Sequence, residues 1–202
     1  MHVFIVYAHP SKESFTHTVL ETFVAGLKES GNTYEISDLY SMNFKADMDL
    51  EEYIRESGKE INRSIPGDVR QEQEKITGAD LLVFIYPVWW SDCPAKLKGW
   101  FDRVYTLGFA YAHGDRTHTR HKFKEKKALI ICTAGHPVEH LESIGIADSM
   151  RRVMINDRLL GIGVSEAQIV ILGGMAAKDP VVREDNLKTA FRLGKMVRRA
   201  VD

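Results

Sequence analysis

The sequence has little of what marks secreted, membrane-spanning or nucleic-acid-binding proteins. It contains two cysteines in 202 residues, too few for the disulfide framework of a small secreted domain. Its apolar runs are much shorter than the ~20 residues that span a membrane. Its 27 basic and 28 acidic residues give a net charge of -1, which argues against binding nucleic acid or an acidic membrane surface by bulk charge. Because the apolar run at residues 3–7 follows no basic segment and precedes no cleavage site, we expect no signal peptide. We also expect a cytoplasmic protein without membrane insertion.

What the sequence contains is typical of one globular domain. It is 44% hydrophobic and 27% charged, which is ordinary for such a domain. A chain of this length buries roughly 70% of its unfolded surface and needs no disulfide or metal to fold. Because no repeat or interdomain linker is visible, we predict a single domain over residues 1–202.

Short apolar runs alternate with longer segments of helical period. Residues 3–7 and 81–86 are continuously apolar, as in central parallel strands that are covered on both faces. Further strands are predicted at residues 33–38, 128–133 and 167–172, with helices after residue 15, after Pro94, over residues 139–160 and near the end. Residues 40–67 are the least regular and are interpreted as a loop with a short helix at the edge. The predicted fold is α/β, a doubly wound five-stranded parallel sheet with helices on both faces.

Ligands of such a sheet bind beyond the carboxyl ends of the strands, where the strand order reverses. The first loop there, residues 9–16, leads into a helix start with the hydroxyls of Ser14 and Thr16. A helix start binds anions readily, but Ser14 is equally explained as a simple helix cap. The loop has neither a G-x-G-x-x-G nor a G-K-[ST] pattern, so the sequence predicts neither of those phosphate motifs.

Two more loops follow the third and fourth predicted strands. The second loop, residues 87–94, carries Trp89 and Trp90, which are explained either by packing or as walls for a flat ring. The third loop, residues 133–137, is built of small residues that let a ligand approach the backbone closely. The nearby Cys93 is interpreted as a packing residue.

Four sequence motifs, in a fixed order, carry a resemblance to a known family. They are Ala8-His9 with Ser14-Phe15-Thr16, residues 38–44, residues 79–81 with 86–90, and residues 94–104 with 108–111. The chain resembles the flavodoxin-like NAD(P)H:quinone oxidoreductases, a DT-diaphorase-like group that includes bacterial quinone reductases and general stress proteins. The likeness is close over residues 1–135 and loose beyond. It implies a flavodoxin-like flavin-binding domain with FAD, or alternatively FMN, and with NADPH or NADH as co-substrate.

The resemblance also implies site residues. The first loop would hold the flavin phosphates, Gln73 would lie on the adenine side, the second loop would line the ring edge, and the third loop would face its pyrimidine end. The implied cofactor-binding residues are His9, Ser14, Phe15, Thr16, Gln73, Pro87, Val88, Trp89, Trp90, Thr133, Ala134 and Gly135. Tyr111 matches an aromatic residue that closes the substrate pocket across a dimer interface, and His113 stands where other members have a second tyrosine.

The chain departs from the family in its proton-handling residues. The family's Gly-Gly after the fourth strand is Gly135-His136 here, and the tyrosine and histidine credited with a proton relay fall at Leu141 and Ala147. His136 and His140 are therefore the alternative candidates, because histidine exchanges protons near neutral pH. The histidines of residues 113–121 have spacing like that of metal ligands, but basic residues crowd them. We interpret this segment as a solvated loop and predict no metal.

The predicted function is a two-electron transfer from a nicotinamide to a quinone or similar aromatic acceptor, by a ping-pong mechanism. Alternatives are a flavodoxin-type electron carrier, whose usual strong acidity is missing, and a regulatory subunit of an ion-efflux transporter, which would have a membrane protein as partner. A homodimer is expected, with Trp100, Phe101 or residues 109–111 in its interface because aromatic residues are common there.

Overall fold

The computed structural model describes residues 1–112 and 122–197. Their five strands form one parallel sheet in the order β2-β1-β3-β4-β5. The strands are β1 (His2–Tyr7), β2 (Thr33–Asp38), β3 (Leu81–Pro87), β4 (Lys127–Thr133) and β5 (Glu166–Leu172). The strand order reverses between β1 and β3, which creates a crevice at their carboxyl ends. The predicted fold is confirmed, and each predicted strand agrees with the structure to within one residue at its ends.

Seven α-helices lie within the described residues. They are α1 (Phe15–Glu29), α2 (Leu50–Ser57), α3 (Gly67–Gly78), α4 (Ala95–Val104), α5 (Val138–Ser143), α6 (Ile146–Arg151) and α7 (Pro180–Met196). A π-helical turn, Arg152–Asp157, continues α6. Helix α3 was not predicted, because Val69 and Ile76 are its only large apolar residues and give a weak periodic signal. None of these helices is long and apolar enough to cross a membrane.

One face of the sheet is covered by α1 and α7. Val3, Ile5 and Tyr7 of β1 point to this side and are fully buried. The two helices touch backbone to backbone: a Cβ atom on Gly194 would lie 2.2 Å from the carbonyl oxygen of Phe23. Since no side chain fits in that space, glycine at this crossing is what lets α7 approach α1 so closely.

The opposite face is covered by α3 and α4, and it contains buried charge. Phe4 and Val6 point to this side. The fully buried carboxylate of Glu72 accepts hydrogen bonds from Ser37 Oγ and Trp100 Nε1, both at 2.8 Å. Trp100 and Phe101 are buried inside the chain, so the prediction that they lie in a dimer interface is wrong. Their helical period indicated one apolar face without showing what covers it.

Candidate functional site

The three loops predicted to form a site meet at the carboxyl edge of the sheet. The hydroxyl of Thr16, in the first loop, lies 2.8 Å from that of Thr133, in the third, and the contact is buried. The amide of Val88, in the second loop, donates to the carbonyl of Thr133 at 2.8 Å. The rings of His9 and Trp89 meet edge to face at 6.0 Å. Side chains from all three loops therefore form one continuous surface at the switch point.

The first loop presents the start of α1. The Ser14 hydroxyl caps this helix by accepting from the amide of His17 at 3.1 Å, which confirms the capping interpretation and leaves anion binding as a prediction. The hydroxyl of Tyr7 and Nδ1 of His17 are buried here without a hydrogen bond of normal geometry to any described residue. Burial raises the pKa of Tyr7 to about 12, although the Ser14 hydroxyl lowers it in part, so the phenol stays neutral.

Arg183 of α7 brings a positive charge to the first loop. Its guanidinium lies over the ring of Phe15 at 5.4 Å, and its Nε is buried without a partner among the described residues. Burial lowers the pKa of the His9 imidazole, while the carbonyl of Ser11 raises it in part, leaving the pKa below its ordinary value. No sequence pattern indicates Arg183 at this site, because only the packing of α7 on α1 brings it near the loop.

The second loop is a tight turn with exposed indoles. Trp90 and Ser91 both have positive φ, 49° and 66°, between residues Trp89 and Asp92, which pair through their backbones. Trp90 is 101% exposed and Trp89 42%. Asp92 forms an ion pair with Arg158, a contact that no local sequence pattern indicates. Cys93 is buried, which raises the pKa of its thiol to about 12, in agreement with a packing role.

The third loop is held by backbone contacts with residues after β5. The carbonyls of Ala134 and Gly135 accept from the amides of Met175 and Ala176, each at 3.1 Å. Ala134 packs against Leu141 and Ala147, the two buried residues at the expected relay positions. These two side chains therefore serve as core at this place, and neither can carry a proton.

The predicted catalytic residues are distributed over different places. His136 and His140 are exposed beside the third loop, with ring centroids 4.8 Å apart. The Tyr111 hydroxyl donates at 2.7 Å to Oε2 of Glu56, which lies on α2. His113 and the rest of the histidine-rich segment lie outside the described residues. Among the described residues, no group of three or more potential metal ligands is present.

Gln73, the predicted adenine-side residue, lies on α3 and faces α4. Its amide donates to the carbonyl of Val104 and the hydroxyl of Thr106, both at 2.9 Å. The side chain is buried, so these contacts make it a packing residue between two helices. Pro87, the first residue of the second loop, is likewise buried at the end of β3.

A protein family described by its flavodoxin-like fold matches residues 1–192. The chain belongs to this family. A solved NAD(P)H:quinone oxidoreductase from Methanothermobacter marburgensis is 54% identical, with 96% of each chain covered and a TM-score of 0.89. NAD(P)H dehydrogenase [quinone] 1 of Rattus norvegicus is 32% identical over 197 residues, which is 89% of this chain and 72% of the relative. The predicted family resemblance is confirmed.

Other relatives are covered only in part or are similar only in fold, which limits the properties that can be assigned to this chain from them. The chain spans only 65% and 59% of the length of two curated relatives, from Penicillium crustosum and Cavia porcellus. An FMN-dependent NADH-azoreductase from Bacillus anthracis, solved in complex with FMN, has a TM-score of 0.73 over 96% of this chain and 97% of its own, at 19% identity. At that identity the similarity concerns the fold alone.

Proposed function

We propose that this chain is a flavin-dependent NAD(P)H:quinone oxidoreductase that works by a ping-pong mechanism. The observation that carries the proposal is the meeting of three loops at the switch point of the sheet, with two exposed indoles above it. Relatives with quinone oxidoreductase names support it. A bound flavin would supply the redox chemistry by accepting a hydride from NADH or NADPH and passing it to a quinone.

The residues present fit a flavin. The start of α1 offers backbone N–H groups that lack partners within the helix. The buried, unpartnered atoms of Tyr7, His17 and Arg183 lie around that start and would donate to phosphate oxygens. Trp89 and Trp90 offer apolar faces for a flat ring, and the small residues 133–135 would let its pyrimidine end approach the backbone.

Tyr111 is assigned to the part of the pocket that holds the quinone acceptor. We give its ring a packing role and no role in proton transfer, because its hydroxyl proton is already used in a hydrogen bond. Its hydroxyl donates to Glu56, and burial followed by this carboxylate raises the pKa of the phenol. His136 and His140, both exposed, are assigned to proton delivery, as is His113 by its sequence position. By the family resemblance, in which this aromatic residue closes the pocket across a dimer interface, we assign Tyr111 to the pocket of a second copy in a homodimer.

A shared slot for nicotinamide and quinone determines the kinetics. If both substrates stack in one space beside the indoles, the oxidised nicotinamide must leave before the acceptor enters. We further propose FAD as the flavin, with FMN as the alternative, and a cytoplasmic location. A transporter partner stays a prediction from family resemblance.

The test begins with an absorbance spectrum of the purified protein, which should show bound flavin that NADPH bleaches in a stopped-flow mixer. Chromatography of the heat-released cofactor distinguishes FAD from FMN. Initial rates at several fixed quinone concentrations should give parallel double-reciprocal lines. Intersecting lines would contradict the ping-pong mechanism, and absence of flavin binding by the purified protein would contradict the function itself.

Two variants locate the site. Replacing Ser14 and Thr16 together by alanine should weaken flavin binding, because both hydroxyls lie at the proposed phosphate end. Tyr111→Ala should reduce quinone turnover more than flavin content. Unchanged flavin affinity in the first variant would remove the first loop from the site, and a normal turnover in the second would remove Tyr111.

A further inference from the structure

We propose that Arg158 is a positioning residue, which holds the tryptophan turn, residues 89–92, in its binding shape through Asp92. The inference rests on the proposed function, because the turn is assigned there to the flavin ring. Arg158 lies just after the π-helical turn Arg152–Asp157 and is 66 residues away from Asp92 in sequence.

The ion pair is bidentate. Nη1 and Nη2 of Arg158 donate to the two carboxylate oxygens of Asp92, each at 3.0 Å. Paired hydrogen bonds of this kind fix direction as well as distance. The Asp92 Oδ1 atom also accepts from the amide of Cys93 at 2.7 Å, so the carboxylate is fixed from its own backbone side too.

Arg158 is itself held in place by its surroundings. Its side chain is 10% exposed and its guanidinium lies over the ring of Phe101 at 5.2 Å. Nη1 is also 2.8 Å from Sδ of Met154 and 3.5 Å from Sγ of Cys93. With its position fixed by the core, the guanidinium is a rigid anchor for whatever binds to it.

The turn needs an anchor because its backbone is unfavourable for its residues. Trp89 and Asp92 exchange backbone hydrogen bonds of 2.9 and 3.2 Å around Trp90 and Ser91. Positive φ at both central residues is the geometry that normally selects Asn-Gly. A tryptophan and a serine there carry strain, which persists only when the surroundings fix the backbone.

Among the described residues, no packing contact holds the exposed indole of Trp90 in place. Trp90 is 101% exposed, so its direction follows from the backbone of the turn and not from packing. Without the ion pair the turn would relax toward negative φ, and the indole would leave the proposed ring site.

The experiment compares Arg158→Met with Arg151→Met. The methionine keeps apolar contact with Met154 and Phe101, and Arg151 forms an exposed pair with Glu142, which makes it the matched control. One readout is flavin affinity, measured by titrating FAD and FMN into flavin-free protein. The other is time-resolved fluorescence anisotropy of that flavin-free protein, in which Trp89 and Trp90 report on the turn and the buried Trp100 gives a constant background.

We expect the flavin dissociation constant of Arg158→Met to rise about tenfold, which is 1.4 kcal/mol of binding free energy, with faster local tryptophan motion. Arg151→Met should match wild type in both. Asp92→Asn should resemble Arg158→Met, and the double variant should be no worse than either single one, because both changes remove the same link.

Three outcomes would overturn the inference. The first is a folded Arg158→Met protein whose tryptophan anisotropy matches wild type. The second is a folded Arg158→Met protein whose flavin affinity matches wild type. The third is a double variant whose loss of flavin affinity equals the sum of the losses in the two single variants. If Arg158→Met does not fold, Asp92→Asn is measured with the same two readouts. The Asp92 side chain is 45% exposed, so its replacement disturbs the core less. Failure of the proposed function is distinct, because wild-type protein would then bind no flavin while the anisotropy difference would persist.

Discussion

The two sides of the sheet are built by different means. On the α1 and α7 side, apolar side chains and two glycines bring helices into backbone contact, as at Gly26 and Gly194. On the α3 and α4 side, the core includes buried charges, among them Glu72 and Arg103. The first side gives stability by close packing, whereas the second fixes the direction of individual helices by specific ion pairs and hydrogen bonds.

This difference matters for the site because α4 starts directly after the second loop. Arg103, near its end, donates to Glu52 of α2 at 2.7 Å and to Asp68 of α3 at 2.6 Å. A third hydrogen bond goes to the carbonyl of Lys45 at 2.8 Å. One guanidinium thus connects three helices, so the charged side of the sheet also determines where the second loop ends.

Removing that guanidinium should have the largest effect. Arg103→Met removes the guanidinium that pairs with the carboxylates of Glu52 and Asp68, and breaking a buried ion pair in this way costs about 3–5 kcal/mol. Urea denaturation should show this loss. Lys98→Met on the same helix removes only an exposed pair with Asp102 and should change stability by less than about 1 kcal/mol. Similar losses in both variants would show that the buried charge is unimportant.

Filling the contact on the opposite side should have the next largest effect. Gly194→Ala places a methyl group 2.2 Å from the carbonyl oxygen of Phe23, and such overpacking costs about 1–3 kcal/mol. Gly78→Ala, at the end of α3 with nothing within 4 Å of the added atom, is the control. Equal unfolding midpoints for the two variants would mean that α1 and α7 can move apart to admit the methyl group without a loss of stability.

Acid should act on the charged side with a smaller effect. Burial raises the pKa of the Asp68 carboxyl, but Arg103 lowers it more, so the pKa lies below its ordinary value. This carboxylate therefore stabilises the fold above its unfolded pKa of about 3.9, and the contribution is lost as the pH falls through the lower folded pKa. Over that range the urea midpoint of wild type should fall more than that of Asp68→Asn. Parallel curves for the two proteins would contradict this.

The sequence predicted the apolar part of this architecture better than the polar part. Continuous runs such as residues 3–7 indicate buried parallel strands, because burial on both faces requires apolar side chains at every position. Helix α3 was missed because its buried face includes Glu72 and Gln73, which read as solvent-exposed in a sequence. A polar residue is compatible with burial only when distant partners satisfy it, and those partners are not visible in local spacing.

The same limit applies to the candidate site. Its loops were located from strand ends and from the family resemblance, and Thr16 and Thr133 do meet. Arg158 and Arg183 were missed because each reaches its loop from a distant segment: Arg158 pairs with Asp92, and Arg183 lies over Phe15. Only the tertiary packing of those segments makes the contacts.

The glycine contact between α1 and α7 also has a consequence for the time course of folding. Strand β1 finds its neighbours β2 and β3 within the first 87 residues, but α1 must wait for Pro180–Met196 to be synthesised. At about 5–20 residues per second, a ribosome leaves the apolar side of α1 without this partner for roughly 8–33 seconds. During that interval the nascent chain leaves the α7-facing side of α1 uncovered, and chaperones that bind apolar segments would find it accessible.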